Sequence, residues 1–317
     1  MTKTNHTLLV IAGPTAIGKT SLSITLARHY SCPIISADSR QFFKELSIGT
    51  AKPSIDEMQG VRHYFIDSHA ISDNYNVGKF EKDALELLEE LFKNHELVIM
   101  VGGSGLYIDA VCNGFDELPE ADPAVRSKIN ALMETEGITG LQQLLQKLDP
   151  VYYDQVDKQN PQRLSRALEV CLISGKRYSD FRKETAKKRN FNIIKIGLTA
   201  PREVLYQRIN DRVDQMMKDG LLAEVKRVEN HKHLNALQTV GYKELFDYLS
   251  AVNASIDHPE THLKLLAKAV ELIKQNTRRF AKRQLTWFRR DEQMKWFDPT
   301  ETTSILTYIE ENRIRKA

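Results

Sequence analysis

The chain predicts an α/β fold: a doubly wound parallel sheet flanked by helices and interrupted by an all-helical insertion. Three observations carry this prediction. Four short runs are continuously apolar instead of alternating, as in strands buried on both faces of a parallel sheet. Segments of helical period separate them. Between Pro119 and Tyr178 that alternation stops and only helix signals remain.

In chain order, the run Leu8 to Ala12 leads directly into a glycine motif, so it reads as a first strand and not as a signal peptide. Pro33 to Ser36 is the second run, and His63 starts an edge strand. Val77 to His95 places Phe80, Ala84, Leu87, Leu88 and Leu91 on one helical face, and Leu97 to Val101 is the next buried strand. In the insertion, Asp122-Pro123 starts a helix, a second helix opens at Pro161, and Gly175 stops it. The α/β pattern resumes at Phe191 with the strand Ile193 to Leu198, and Pro201 opens the helix after it. From Gly220 to Arg290 the chain is helical, ending in a long segment from about His258. The expected division is a catalytic core of residues 1–114 and 191–317 around a helical insertion of residues 115–190.

Composition sets limits. At 317 residues and 41% hydrophobic, the chain can bury a full-sized core. A net charge of +3 is too small to imply nucleic-acid binding by itself, so such a claim depends on where the charges sit. Cys32, Cys112 and Cys171 are far apart, which argues against a disulfide framework or a zinc cluster and fits a reducing compartment. No stretch approaches the 18 or so apolar residues of a membrane span. The nine histidines lack metal-ligand spacing; His63 reads as structural, and His231 and His233 as surface residues.

Gly13-Pro14-Thr15-Ala16-Ile17-Gly18-Lys19-Thr20 matches G-x-x-x-x-G-K-[ST] at every fixed position, between a buried strand and an amphipathic helix. Its glycines allow a turn that points backbone N–H groups at an anion, and the helix N-terminus adds partial positive charge. Lys19 supplies a full charge, and the Thr20 hydroxyl can ligate Mg²⁺. The motif predicts a P-loop NTPase-like sheet that binds a di- or triphosphate without saying which. A nucleotide hydrolase of this class holds Mg²⁺ with an Asp at another strand end. Here Leu97 to Val101 ends in Gly102-Gly103-Ser104-Gly105, and the carboxylate appears after the second strand, as Asp38. From the residues alone, Asp38 either caps the next turn or acts at the carboxyl edge of the sheet, holding a metal-bound water or accepting a proton.

Further segments follow in order: Ile35-Ser-Ala-Asp-Ser-Arg-Gln41, Ile48-Gly-Thr-Ala-Lys-Pro53, Val101-Gly-Gly-Ser-Gly-Leu-Tyr107, Asn160-Pro-Gln-Arg-Leu-Ser-Arg-Ala-Leu-Glu169, Val240-Gly-Tyr-Lys243 and Lys282-Arg-Gln-Leu-Thr-Trp-Phe288. With the phosphate loop, they resemble the tRNA dimethylallyltransferase family over nearly the whole chain. The resemblance implies that the loop, with Mg²⁺ on Thr20 and Asp38, holds the diphosphate of dimethylallyl diphosphate. N6 of adenosine 37 beside the anticodon would attack C1, with Asp38 as base and Lys19, Thr20 and Ser104 completing the catalytic set. It implies tRNA contacts from Asp38, Ser39, Arg40, Gln41 and Ser104 around the target base. Others would come from Arg126 and from Gln162, Arg163, Leu164, Ser165 and Arg166 in the insertion, which would clamp the anticodon stem-loop. Gln238, Lys243, Arg278, Arg279 and Arg283 complete the set. The glycines around Ser104 would let the nucleotide approach the backbone. The chain departs from common family residues at Ser104 for Thr, Phe43 for Tyr, and Gln238 for Arg. Arg40 or Lys243 is the expected substitute for that missing cation. The family's eukaryotic zinc finger and transit peptide are not seen, so the expectation is a bacterial, cytoplasmic protein; separately, a monomer is expected.

Between Glu271 and Asp291 no acidic residue interrupts Lys274, Arg278, Arg279, Lys282, Arg283, Arg289 and Arg290. A second cluster joins Lys176, Arg177, Arg182, Lys183, Lys187, Lys188 and Arg189, diluted by Asp180 and Glu184. By charge alone both read as solvated faces; the resemblance makes the first a tRNA surface and offers the second as another. The alternatives are a small-molecule or nucleoside monophosphate kinase, an adenylate isopentenyltransferase, and a non-catalytic RNA-binding protein. The kinase leaves the basic helix unexplained, and the last leaves Lys19, Thr20 and Asp38 without a purpose.

Overall fold

The computed structural model describes residues 6–116, 118–182, 187–254 and 259–314. Six parallel strands form one sheet: β1 (Thr7–Ala12), β2 (Ile34–Ser36), β3 (His63–Tyr64), β4 (Leu97–Gly102), β5 (Asn192–Leu198) and β6 (Lys295–Phe297), in the order β3-β2-β4-β1-β5-β6. Every residue of β1 is buried, and its side chains alternate between two cores. Leu9 and Ile11 pack beneath the helices Lys19–His29, Arg202–Lys218 and Thr302–Ile314. Leu8, Val10 and Ala12 face the helices Val77–Leu91 and Gly105–Asn113. Two-sided burial is why these strands are uninterrupted apolar runs.

Register positions the site. Ala12 pairs with Gly102 on one side and Gly197 on the other, and Ser36 pairs with Val101. The turns leaving β1, β2 and β4 therefore emerge level at the carboxyl edge. A third core joins Arg202–Lys218, Leu221–Arg227, Tyr242–Ala254 and Pro259–Phe288 beside the sheet. Local capping sets the helix ends: the Val77–Leu91 helix starts at an Asn76 cap, and Arg202–Lys218 follows Pro201 as expected. His258 lies outside the described residues, and the long helix is seen from Pro259. β6, which no apolar run announces, is an edge strand with only Phe297 buried.

The chain divides into two compact units, residues 1–113 with 188–317, and residues 114–187. The second unit is helical where described, with a core that includes Ile129, Leu141, Leu145, Leu164 and Leu168. Asp122 caps Pro123–Leu148 through Ala124 N–H at 2.8 Å, and Asn160 caps Pro161–Ser174 through Arg163 N–H at 3.1 Å. Gly137 bends the first of these helices at φ 65°, and Gly175 ends the second at φ 68°.

Candidate active site

The phosphate loop is a strained turn held from below. Gly13 lies at φ 154°, where a Cβ would come within 2.9 Å of the Leu198 carbonyl; Gly18 lies at φ 105° and Ala16 at φ 62°. Ile17 is fully buried, so its side chain anchors the loop and its backbone alone can meet a ligand. No side chain caps the Lys19–His29 helix, which leaves its first N–H groups for an anion. Lys19 Nζ folds back to donate to the Gly13 and Pro14 carbonyls at 3.0 and 2.7 Å. Burial lowers the Lys19 ammonium to about 7; nearby Asp38 opposes the drop and nearby Arg212 adds to it.

Asp38 caps its own turn and also borders open space. Its Oδ1 accepts from Arg40 N–H at 3.0 Å, an Asx turn, while the side chain lines two adjoining cavities of about 560 Å³ each. One cavity surrounds Gly18, Lys19 and Thr20. The other extends along apolar Ile209, Val213, Met216 and Leu221 towards Gln238 and Lys243. Thr15, Arg212 and Phe280 also border both. Ser104 Oγ accepts from Ser39 N–H at 3.0 Å and donates to Ser39 Oγ at 3.2 Å, tying the turn after β4 to the turn after β2. Gln41 Nε2 donates to the Thr50 and Ala51 carbonyls, both at 3.3 Å.

Residues not apparent in the sequence complete the site. Arg212 reaches from the Arg202–Lys218 helix, donating to the Ala51 carbonyl at 3.5 Å; burial pulls its guanidinium below the ordinary arginine value, against nearby Asp38. Arg208, one turn earlier, donates to the Ile17 carbonyl at 3.4 Å. Arg212 is therefore a cation beside Asp38 in addition to Arg40, while Gln238 is turned to donate to the Lys232 carbonyl at 2.6 Å. Buried Glu224 accepts from the N–H groups of Ser47, Ile48 and Gly49 at 3.0, 2.8 and 2.9 Å and from the Tyr242 hydroxyl at 2.6 Å, fixing the loop that carries Thr50 and Ala51. Spacing one turn apart on an otherwise amphipathic helix is the signal that Arg208 and Arg212 share a face; Glu224 has no comparable local signal.

The glycines around Ser104 are hemmed in by the protein's own chain. A Cβ on Gly102 would stand 2.4 Å from the Ala37 carbonyl, on Gly103 2.3 Å from Gln284 Nε2, and on Gly105 2.3 Å from the Trp287 ring. At each of them the missing side chain lets another part of the protein come close. Trp287 Nε1 in turn donates to Asp109 at 2.7 Å.

The remaining candidates separate by exposure. On the long helix Arg279, Lys282 and Arg283 are exposed, whereas Arg278 is half-buried and donates to Asn210 at 2.6 Å. In the insertion Gln162 and Arg163 are exposed, and Ser165 is half-buried. Leu164 is fully buried in that unit's core, which removes its side chain from any RNA face. Arg126 and Arg166 converge on buried Glu169, Arg166 at 3.1 Å. In the second basic cluster Lys183 and Glu184 lie outside the described residues, and Arg189 is not free, donating to Glu81 at 2.6 Å. Among the described residues no group of three or more His, Cys, Asp or Glu forms a metal cage, and no helix is long and apolar enough to cross a membrane.

Residues 41–291 match the IPP transferase family model. The chain is 53% identical to a tRNA dimethylallyltransferase of Flavobacterium johnsoniae, covering 96% of this chain and 97% of that one. It is 47% identical to tRNA dimethylallyltransferase 1 of Bacteroides thetaiotaomicron, at 96% and 95% coverage. The crystal structure of the tRNA isopentenylpyrophosphate transferase of Bacillus halodurans aligns with TM-score 0.70 at 35% identity, covering 98% of each chain. A eukaryotic dimethylallyltransferase, described in crystallographic snapshots of its action on tRNA, aligns with TM-score 0.75 at 26% identity over 94% of this chain and 75% of that one. The family match takes in Ser104, Arg212 and the basic end of the long helix, the relatives are covered over nearly their full length, and the chain belongs to the IPP transferase family of tRNA dimethylallyltransferases.

Proposed function

We propose that this protein transfers a dimethylallyl group from dimethylallyl diphosphate to N6 of adenosine 37 in the anticodon loop of tRNA, releasing diphosphate. The observation that carries the reading is the position of Asp38 at the junction of a phosphate-binding cavity and a cavity with an apolar wall. The loop N–H groups and Lys19 bind the diphosphate, with Arg208 and Arg212 facing them across the cleft. The isoprenoid lies towards Val213 and Met216, and the adenine enters past Ser104 and Gln238. An enzyme acting on N6 must first extrude the base from the loop stack.

As the N6 lone pair forms its bond to C1, the C1–O bond breaks and its electron pair leaves on the diphosphate. The N6 proton passes to the Asp38 carboxylate. Positive charge preorganised around the leaving group lowers the barrier, because it acts where negative charge develops. Thr20 and Asp38 offer oxygen donors only, which suits Mg²⁺ held by few protein ligands and by substrate phosphate oxygens. Such an ion, when bound, neutralises charge on the leaving diphosphate. The exposed Arg279, Lys282 and Arg283 neutralise tRNA phosphates.

The test is incubation with labelled dimethylallyl diphosphate, Mg²⁺ and either unmodified tRNA or AMP. Label is expected on tRNA alone, at N6 of adenosine 37 after nuclease digestion. Label confined to AMP, or ATP consumption without prenyl transfer, would overturn the proposal.

A further inference from the structure

Gln284 is a buried amide on the long helix, whose neighbours Lys282 and Arg283 are exposed. It continues the inward stripe of Ile273, Ala281 and Phe288, where an apolar residue is the ordinary choice. Both ends of its side chain are engaged. Oε1 accepts from Thr15 N–H at 2.9 Å, and Nε2 donates to the Gly103 carbonyl at 2.9 Å. The two partners fix the orientation of the amide, since a flip would set donor against donor and acceptor against acceptor. Thr15 belongs to the phosphate loop, and Gly103 precedes Ser104 on the turn after β4. Gly103 is the counterpart of this arrangement: a Cβ there would stand 2.3 Å from Gln284 Nε2, with the next atom outside Gln284 3.7 Å away.

We propose that Gln284 is a positioning residue for the transfer reaction, its amide setting the spacing between the loop that holds the diphosphate and the turn that presents the acceptor base. The Thr15 N–H is committed to the amide, so the anion is gripped by later N–H groups of the loop. Displacement has three centres in line: N6, C1 and the leaving oxygen. The first is held by one turn and the last by the other, and Gln284 bridges the two. The proposal rests on the reading of this site as a dimethylallyltransferase.

Loss of the bridge misaligns substrates that still bind, so the expected signature is a fall in kcat with little change in KM. Gln284→Ala is expected to lower single-turnover rate by roughly 10²-fold, with KM for donor and for tRNA each within about threefold of wild type. Gly103→Ala displaces the amide and loses a similar factor. In Gln284→Ala/Gly103→Ala the two losses do not multiply, because the group that the new methyl would strike is gone. Should Gln284→Ala fail to fold by circular dichroism, Gln284→Glu decides: it keeps the Thr15 bond but sets a carboxylate oxygen against the Gly103 carbonyl, and its kcat must also fall. A normal kcat in either variant, or losses that multiply in the double variant, overturns the role of Gln284 while wild-type transfer stands. A wild-type protein that labels no tRNA overturns the functional reading itself.

Discussion

At the scale of one residue, Asp38 combines a structural and a chemical duty that a suitable substitution separates. Asn retains an oxygen to accept from Arg40 N–H but cannot take up the N6 proton. Asp38→Asn is therefore expected to fold normally and bind donor, while single-turnover transfer falls by roughly 10² to 10⁴-fold. Near-normal transfer in that variant would remove Asp38 from the base role. Lys19 has a different vulnerability. Burial lowers its ammonium to about 7, yet only the charged form attracts diphosphate. Below that pH the charge is already present; above it, binding must first take up a proton, so affinity falls as pH rises. The loss approaches about tenfold per pH unit for a one-proton linkage. Calorimetric titration with inorganic diphosphate from pH 6 to 9 reads this directly. Lys19→Arg, whose charge is permanent, supplies the reference that subtracts the titration of diphosphate itself, and identical profiles for the two proteins would refute the linkage.

At the scale of the element, the helix Arg202–Lys218 carries Arg212 to Lys19, and its positive charge helps lower the Lys19 value. Removing it should weaken diphosphate binding at neutral pH and at the same time shift the alkaline loss of affinity to higher pH, since Lys19 then holds its proton longer. A weaker affinity with an unmoved pH limb would place Arg212 away from Lys19 in solution. The long helix makes a separate prediction. Neutralising Arg279, Lys282 and Arg283 together should make the slope of log affinity for tRNA against log salt shallower by roughly 2 to 3, one phosphate for each charge; an unchanged slope would leave that face merely solvated. Much of this architecture was legible beforehand. Central strands are uninterrupted apolar runs because both faces are buried, and the phosphate loop is a backbone constraint expressed as fixed spacing. β6 was not, because Lys295 is exposed and only Phe297 is buried. Gln284, Glu224 and Arg212 were not, because their partners lie 269, 177 and 161 residues away in sequence. A buried polar side chain is explained by what it meets, and no local pattern encodes so distant a partner.

At the scale of the molecule, the chain inserts a self-contained helical unit into a sheet that builds the phosphate site without it. Residues 114–187 have their own core, and every residue lining the two cavities beside Asp38 belongs to the other unit. Gly114 and Lys187, where the insertion begins and ends, are neighbours: a Cβ on Gly114 would meet Lys187 Cγ at 2.6 Å. A short glycine-serine linker can therefore close the gap that excision leaves, at a modest loop-closure cost. The shortened protein is expected to unfold cooperatively and to bind inorganic diphosphate within about threefold of the full chain, because the ligand contacts remain. It is expected to lose tRNA. The insertion supplies exposed Gln162 and Arg163, and Arg126 and Arg166 share one buried carboxylate, so that trio keeps a net positive charge. Losing even a few phosphate contacts weakens RNA binding by about tenfold or more at physiological salt. Calorimetry with diphosphate and filter binding with tRNA measure the two properties on one preparation. Retained tRNA affinity would move RNA recognition onto the sheet unit and its basic helix, and loss of both activities would show that the sheet needs the insertion to hold its phosphate site.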